Sequence, residues 1–353
     1  MDFNEKDQMR PEGIMPPTPP TPPRIDNPLA MPSSPRKKSS FWRVIVAVLF
    51  SISVIGNILL VMMLIGMGVL LATGHEQRHR EDIIKTGPRD RRIAVVALNG
   101  IIDDRMYENI TTLLERIRRD GTVKAVILQI NSPGGSVSAS DRIHNRISRL
   151  SRKHGIPTVA AMQAVAASGG YYVAVGCDVL VAEPATITGS IGVIMHSFVV
   201  QELLEDKLGI QPVVIEAGGK KDWPSPFKPV TDEQRAYLDE RLIRPAFERF
   251  VEVVRGGRPN LTEKQVAKLA DGSIYTGQAA FRVGLVDRVG YMEEAVEEAM
   301  KLAGLDEAMV VRFREPLTLS ELLMGVEGRT TFRMDRSTIY EMSTPQLMYL
   351  WGL

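Results

Sequence analysis

The spacing of apolar positions changes several times along the chain, and each change predicts a different element. Residues 44–73, "VIVAVLFSISVIGNILLVMMLIGMGVLLAT", carry no charge, and Asn57 is the one strongly polar side chain among them. About 20 apolar residues suffice to cross a hydrocarbon core, so this run predicts a single membrane-spanning helix. From Arg92 onward the runs are shorter and alternate in period. "RIAVVALN" predicts a buried strand, and Met106, Ile110, Leu113, Leu114 and Ile117 share one face of a helix over 106–119. "VKAVILQI" (123–130) predicts a second strand, followed by a helix that starts near Val137 and carries Ile143, Ile147 and Leu150. "PTVAAM", "DVLVA", "TITGSIGVIM" and "PVVIEA" all read as strands. An amphipathic helix over about 231–255 presents Leu238, Leu242, Phe247, Phe250 and Val254. Strands alternating with helices predict an α/β domain built on a largely parallel sheet. No short-period repeat is present.

Composition adjusts this picture in a few places. The leader over residues 1–43 contains "PPTPPTPPR", which favours extended polyproline II and has little to bury, so it reads as a disordered tether. A leader of that length ahead of the apolar run favours an uncleaved anchor over a signal peptide. Basic residues flank the span on both sides, but the acid-free cluster "RKKSSFWR" lies nearest to it and predicts a cytoplasmic N-terminus. The resulting order is leader 1–43, transmembrane anchor 44–73, linker 74–92, catalytic domain 93–300 and C-terminal extension 301–353. A net charge of +1 argues against a nucleic-acid-binding surface. The single cysteine, Cys177, excludes an internal disulfide and, in its apolar run, reads as an inert buried thiol.

Two glycine pairs follow predicted strands. Pro133-Gly134-Gly135 must turn the chain after strand 123–130, and glycine there frees backbone N–H groups for a ligand. The turn is either an oxyanion hole or only a tight strand-to-helix connection. Ser168 stands in the same relation to its strand, among Ala164, Ala166 and Ala167 and ahead of Gly169-Gly170. Taken alone it reads as a helix cap. As a nucleophile it needs a base. The chain has five histidines: His75 and His79 lie by the anchor, and His144 and His154 on or after the polar side of a helix. Only His196 lies near Ser168 in sequence, which leaves a Ser168–His196–Asp222 triad open. The other base is lysine. Lys220 and Lys221 follow a Gly pair and precede Trp223, Pro224, Pro226 and Phe227. A lysine acts as base only when neutral, which requires its pKa to fall from about 10.4 by roughly three units, about 4 kcal/mol. Apolar burial supplies such shifts.

Four motifs in order, "NSPGGSV", "AASGGYYVAVGCD", "TITGSIGVI" and "DGSIYTGQAAFRVGLVDRVG", resemble the signal peptide peptidase A family over about residues 93–300. The resemblance implies a crotonase/Clp-protease-like parallel-sheet α/β fold preceded by one transmembrane helix, and a Ser–Lys serine endopeptidase. It implies Ser168 as nucleophile, Lys221 as general base with Lys220 as the fallback, and Ser190 as the hydroxyl that orients the base. It implies Gly134 and Gly135 as the oxyanion hole, and a structural role for Thr276 and Gly277. No metal, nucleotide or other cofactor is called for. The chain resembles the short, single-copy form, so Ser168 would meet Lys221 of a neighbouring subunit in a ring-shaped homo-oligomer. The implied substrates are signal-peptide remnants and other membrane-derived or unfolded peptides. The implied location is the bacterial inner membrane, with the protease domain outside the cytoplasm. A crotonase-fold acyl-CoA enzyme uses similar Gly-rich turns, and a catalytically dead scaffold is the third class. Retention of Ser168, Ser190 and Lys221 speaks against the scaffold.

The stretch "STPQLMYLWGL" lies beyond the last domain motif and is too apolar to stand in water. It predicts either a subunit contact or a peptide lying in the substrate groove.

Overall fold

The structure, a computed structural model, describes residues 40–73, 81–313 and 346–352. The proline-rich leader before residue 40, the linker histidines His75 and His79, and residues 314–345 of the C-terminal extension lie outside the described residues. The chain divides into two compact units between Glu76 and Gln77.

The first unit is helix α1 (Ser40–Thr73), which opens ahead of the predicted charge-free run and takes in Trp42 and Arg43. Its stretch Phe41–Gly66 has a mean hydropathy of 2.8 and is long and apolar enough to cross a membrane. Its polar side chains satisfy themselves internally: the Asn57 amide donates to the Ser53 carbonyl (2.7 Å) and the Ser51 hydroxyl to the Ala47 carbonyl (2.9 Å). That is what an apolar surround demands.

The second unit runs β1 (Glu81–Lys85), β2 (Arg92–Asn99), α2 (Asp104–Arg119), β3 (Val123–Ser132), β4 (Gly134–Ser136), α3 (Val137–His154), β5 (Thr158–Ala167), α4 (Gly169–Ala174), β6 (Val179–Ala182), β7 (Ile187–Gly189) and β8 (Ile194–His196). It continues through α5 (Asp232–Leu238), α6 (Arg244–Gly257), α7 (Glu263–Leu269), β9 (Ile274–Thr276), α8 (Gly277–Arg282), β10 (Arg288–Val289), α9 (Met292–Leu302), β11 (Met309–Phe313) and β12 (Gln346–Leu350). A π-helical turn over Asp239–Ile243 joins α5 to α6, so the predicted long helix is continuous.

The main sheet has the order β1-β11-β2-β3-β5-β6-β10, parallel from β11 to β10, with β1 antiparallel at one edge. Strand period 2 sends β2 and β3 to two different cores. Ala94, Val96, Leu98, Val126, Leu128 and Ile130 join the larger core with α2, α3, α4 and α6, while Ile93, Val95, Ala125 and Ile127 pack on the other face with α9. Burial on both faces is why these strands read as unbroken apolar runs.

Two expectations need correction. "PVVIEA" forms no strand: residues 210–216 carry no regular structure, with Val213 82% and Ile215 95% exposed. Its β-branched run lies against no strand edge of its own chain, and propensity without a paired edge makes no ladder. "TITGSIGVIM" splits into β7 and β8, because Ser190 between them adopts φ 49°.

An ion pair between a buried arginine and a partly exposed aspartate ties the helical layer to the sheet. The Arg258 guanidinium, buried, clasps Asp287 through two hydrogen bonds (2.7 and 2.8 Å) and donates to the Gly284 carbonyl, and Asp287, its side chain 32% exposed, also accepts from the Leu180 N–H in β6 (2.8 Å). Loss of these charged hydrogen bonds in Arg258→Ala is expected to lower unfolding free energy by about 2 kcal/mol, read by chemical denaturation.

Candidate active site

β5 is the strand on which the site is built. Its first half pairs with β3 and β6, and its last residues pair with β7, with Ala167 opposite Gly189. Ser168 and Ser190 therefore leave adjoining parallel strands at the same level, at the carboxyl end of the sheet where α/β folds place their ligands. Both are buried, and both have left-handed backbone, Ser168 at φ 51°, ψ −114° and Ser190 at φ 49°. Such conformations cost about 1–3 kcal/mol each and persist only where the surroundings enforce them. Here the Ser168 N–H donates to the Gly189 carbonyl, its carbonyl accepts from the Tyr172 N–H, and the Ser190 N–H donates to the Ser273 carbonyl, all at 2.8 Å. Ser168 occupies the N-cap position of α4, but its hydroxyl makes no capping hydrogen bond. Ser168 is thus a cap by position only, its hydroxyl satisfying no N–H of the helix it precedes.

The glycine turn lies beside it. The Gly134 N–H donates to the Ser132 hydroxyl (3.1 Å), which donates in turn to the Gly100 carbonyl (2.6 Å). The Ile102 N–H donates to the Gly134 carbonyl and the Ser136 N–H to the Ile102 carbonyl, both at 2.8 Å. Strand alternation then turns the Gly135 N–H to the opposite edge. Along that edge runs β12.

β12 is the middle strand of a second sheet, β4-β12-β8, and pairs antiparallel with both neighbours. Tyr349 lies opposite Gly135 and Leu350 opposite Gly134, while Gln346 lies opposite His196. The Trp351 N–H donates to the Pro133 carbonyl (2.9 Å). The Tyr349 carbonyl oxygen sits 3.0 Å from where a Cβ on Gly169 would stand, and closer still to where one on Gly134 would. Within this chain the apolar tail thus lies as a strand along the glycine turn. A peptide carbonyl thus lies against the glycine turn, beside the residue that follows Ser168.

The Tyr349 side chain is fully buried. Its ring stacks on Tyr172 (4.9 Å between centroids, 21° between planes) and tilts against Phe250 (4.7 Å, 53°). Its hydroxyl donates to the Ala246 carbonyl in α6 (2.7 Å). Tyr172 is held from behind: its hydroxyl donates to Asp141 (2.5 Å), and His144 packs edge-on to its ring (5.4 Å, 74°). His144 is therefore not on a solvated face as its helical position suggested, and burial pulls its pKa down to about 4. Tyr172 and Phe250 also meet edge-on (4.9 Å), so the three rings form one cluster, and the spacing of these two in the sequence reads simply as core.

The lysines are placed differently. Lys221 is exposed, and no hydrogen bond or ion pair joins it to Ser168 among the described residues. Lys220 Nζ lies over the rings of Trp223 (4.7 Å) and Tyr237 (4.2 Å), which occupies it. The Ser168–His196–Asp222 triad is not assembled: His196 is exposed on β8, and Asp222 pairs with Lys228 (3.2 Å). Thr276 caps α8 by accepting from the Ala279 N–H (3.2 Å), and Gly277 packs on the Glu183 carbonyl, both structural roles. Cys177 is buried, and desolvation pushes its thiol pKa up, away from reactivity.

The chain is similar to known proteases over most of its length. The profile of peptidase family S49 matches residues 151–306, and that of Clp protease matches residues 75–188. A protein named signal peptide peptidase SppA in Enterococcus faecium is 34% identical over 294 residues, covering 77% of this chain and 84% of that one. A protease-named protein of Synechocystis sp. is 39% identical over 259 residues, covering 73% and 91%. Protease 4 of Haemophilus influenzae is 38% identical over 221 residues, 60% of this chain but 35% of that longer one. With one relative matched over most of its length and the S49 profile lying across the Ser168 turn, the chain belongs to the signal peptide peptidase A family of serine proteases, peptidase family S49, on a Clp-protease-like α/β fold.

Proposed function

We propose that this chain is a membrane-anchored serine endopeptidase that cleaves extended, apolar peptides by a Ser–Lys dyad shared between subunits. The observation that carries this reading is β12, a peptide strand paired along β4 with its Tyr349 carbonyl against Gly134 and Gly169, next to Ser168. A substrate laid in the same way presents its carbonyl to the Ser168 hydroxyl.

In this mechanism neutral Lys221 takes the Ser168 proton as Oγ attacks the carbonyl carbon, and the carbon–oxygen π pair moves onto the oxygen. The Gly134–Gly135 turn stabilises that oxyanion, with the Gly135 N–H as the donor facing the groove. Protonated Lys221 passes its proton to the leaving amine as the C–N bond breaks, which leaves an acyl ester on Ser168. Water, deprotonated by Lys221, hydrolyses the ester and returns the proton to Ser168. Ser190, side by side with Ser168, orients the amine.

The base comes from a neighbouring subunit. Lys221 is exposed in the single chain. It follows a segment whose Phe198, Leu203, Leu208, Ile210, Val213 and Ile215 are uncovered. An apolar surface of that kind marks an interface, and a second copy that buried it would also desolvate Lys221. This supports a homo-oligomer in which residues 93–300 form the protease unit. We further propose that α1 anchors it in the bacterial inner membrane, with "RKKSSFWR" on the cytoplasmic side and the protease domain outside. Signal-peptide remnants are the substrates proposed, since they are apolar, membrane-derived and extended.

Ser168→Ala and Lys221→Ala are each expected to lower peptide hydrolysis by about four orders of magnitude or more while assembly survives. Co-assembly of the two dead variants restores part of the activity; failure to do so in confirmed mixed particles rules out the shared site. His196→Ala retains activity, and its loss would reinstate the triad. Removal of residues 343–353 is expected to raise hydrolysis of a short peptide, and an unchanged rate would show that the tail does not compete with substrate.

A further inference from the structure

We infer that Lys220 is the positioning residue of the base: held between Trp223 and Tyr237, it fixes the turn from which Lys221 emerges and sets which of the two adjacent lysines is left to reach Ser168. This rests on reading Lys221 as the base of the dyad. By sequence the two amines are near equivalents, one position apart. The structure treats them differently. Lys220 Nζ lies 4.7 Å from the centre of the Trp223 ring and 4.2 Å from that of Tyr237. Those rings meet edge-on (5.6 Å between centroids, 83° between planes), so they form two walls of one corner with the lysine head in it. The Lys221 side chain takes no hydrogen-bond, ion-pair or ring partner among the described residues.

The corner is anchored at both ends. Tyr237 stands on α5, whose first turn is closed reciprocally: the Thr231 hydroxyl accepts from the Gln234 N–H (3.2 Å), and the Gln234 side chain accepts from the Thr231 N–H (3.1 Å). Trp223 is tied back to the turn, its N–H donating to the Lys220 carbonyl (3.3 Å). The backbone on either side of Lys221 is closed as well. Its own N–H donates to the Gly218 carbonyl (2.8 Å), and the Asp222 N–H donates to the Glu216 carboxylate (3.1 Å). Yet Gly218 and Gly219 meet nothing within 4 Å where a Cβ would stand, so no neighbour packs on the turn from that side. The Lys220 side chain is what ties it to α5. A cation over aromatic faces makes a directional contact that an uncharged chain of the same length does not. Lysine has a long flexible stem, so the reach of the Lys221 amine depends on where its backbone stands. A displacement of about 1 Å at a reacting group is enough to cost on the order of a hundredfold in rate.

Steady-state hydrolysis of one model peptide by the assembled full-length protein tests this. Lys220→Met, which keeps length but not charge, and Tyr237→Leu, which removes one wall, are each expected to lower kcat about tenfold, or about 1.4 kcal/mol of barrier. KM stays within about twofold, because the substrate groove is untouched. Lys220→Arg and Tyr237→Phe, which keep a cation over two rings, recover most of the loss. Lys220→Met with the kcat of the unaltered protein overturns the proposal. So does Lys220→Arg falling as far as Lys220→Met, or a rise in KM at constant kcat. A second readout needs no turnover: amide hydrogen exchange at Lys221 and Trp223 is expected to quicken about fivefold in Lys220→Met and in Tyr237→Leu. Unchanged exchange overturns the clamp. Quickened exchange beside a Lys221→Ala protein that still hydrolyses peptide upholds the clamp and overturns the base assignment. Loss of activity in Lys221→Ala with none in Lys220→Met leaves that assignment standing and overturns the positioning role.

Discussion

A backbone can approach another backbone closely only where no side chain intervenes, and the functional half of this molecule is organised around one such approach. At Gly134 a Cβ would run into the Tyr349 carbonyl, and at Gly169 it would meet the Ser140 hydroxyl, at 2.7 Å, and the same carbonyl. Gly134 also has φ 105°, in the region that L-residues with side chains avoid. Steric room and backbone conformation thus demand glycine together. β4 can then serve as a template strand, and β12 along it is held by main-chain pairing.

The two serines depend on the opposite condition, tight enclosure. Ser168 and Ser190 each take a left-handed conformation at a strand end, and their backbones are tied by hydrogen bonds to Gly189 and Ser273. The strain is borne by a sheet packed on both faces, in which the β2 and β3 side chains are almost entirely out of water. Rigid strands set the level at which the serines emerge, and the pairing of Ala167 with Gly189 sets their separation. The position of Ser168 is in this way a property of sheet register.

The lysine side is built by different physics. Lys221 lies outside any helix or strand, after a run of exposed apolar side chains, whereas the strands that carry the two serines are covered on both faces. β12 lies along the glycine turn beside Ser168, held there by its pairing with β4.

Much of the architecture was legible because it follows from local rules. Unbroken apolar runs located β2, β3, β5 and β6, period-3.6 faces located α2, α3 and the α5–α6 helix, and a charge-free run located α1. "SPGG" and "ASGG" marked where chain and ligand could come close. Three features escaped the same reading. "PVVIEA" has every local mark of a strand, yet a strand exists only opposite an edge, and edges are assigned by the tertiary fold. Ser168 has the sequence context of a cap, but its φ of 51° is imposed by pairing between β5 and β7, residues distant along the chain. Tyr172 and Phe250 look like ordinary core because burial is all that spacing can report; that Tyr349, roughly a hundred residues or more further along, packs against both is decided by the tertiary fold. Hydrophobic period and glycine placement act over a few residues and so are written in the chain itself, whereas the meeting of β12 with the glycine turn and with these rings exists only once remote segments are brought within a few ångströms of one another.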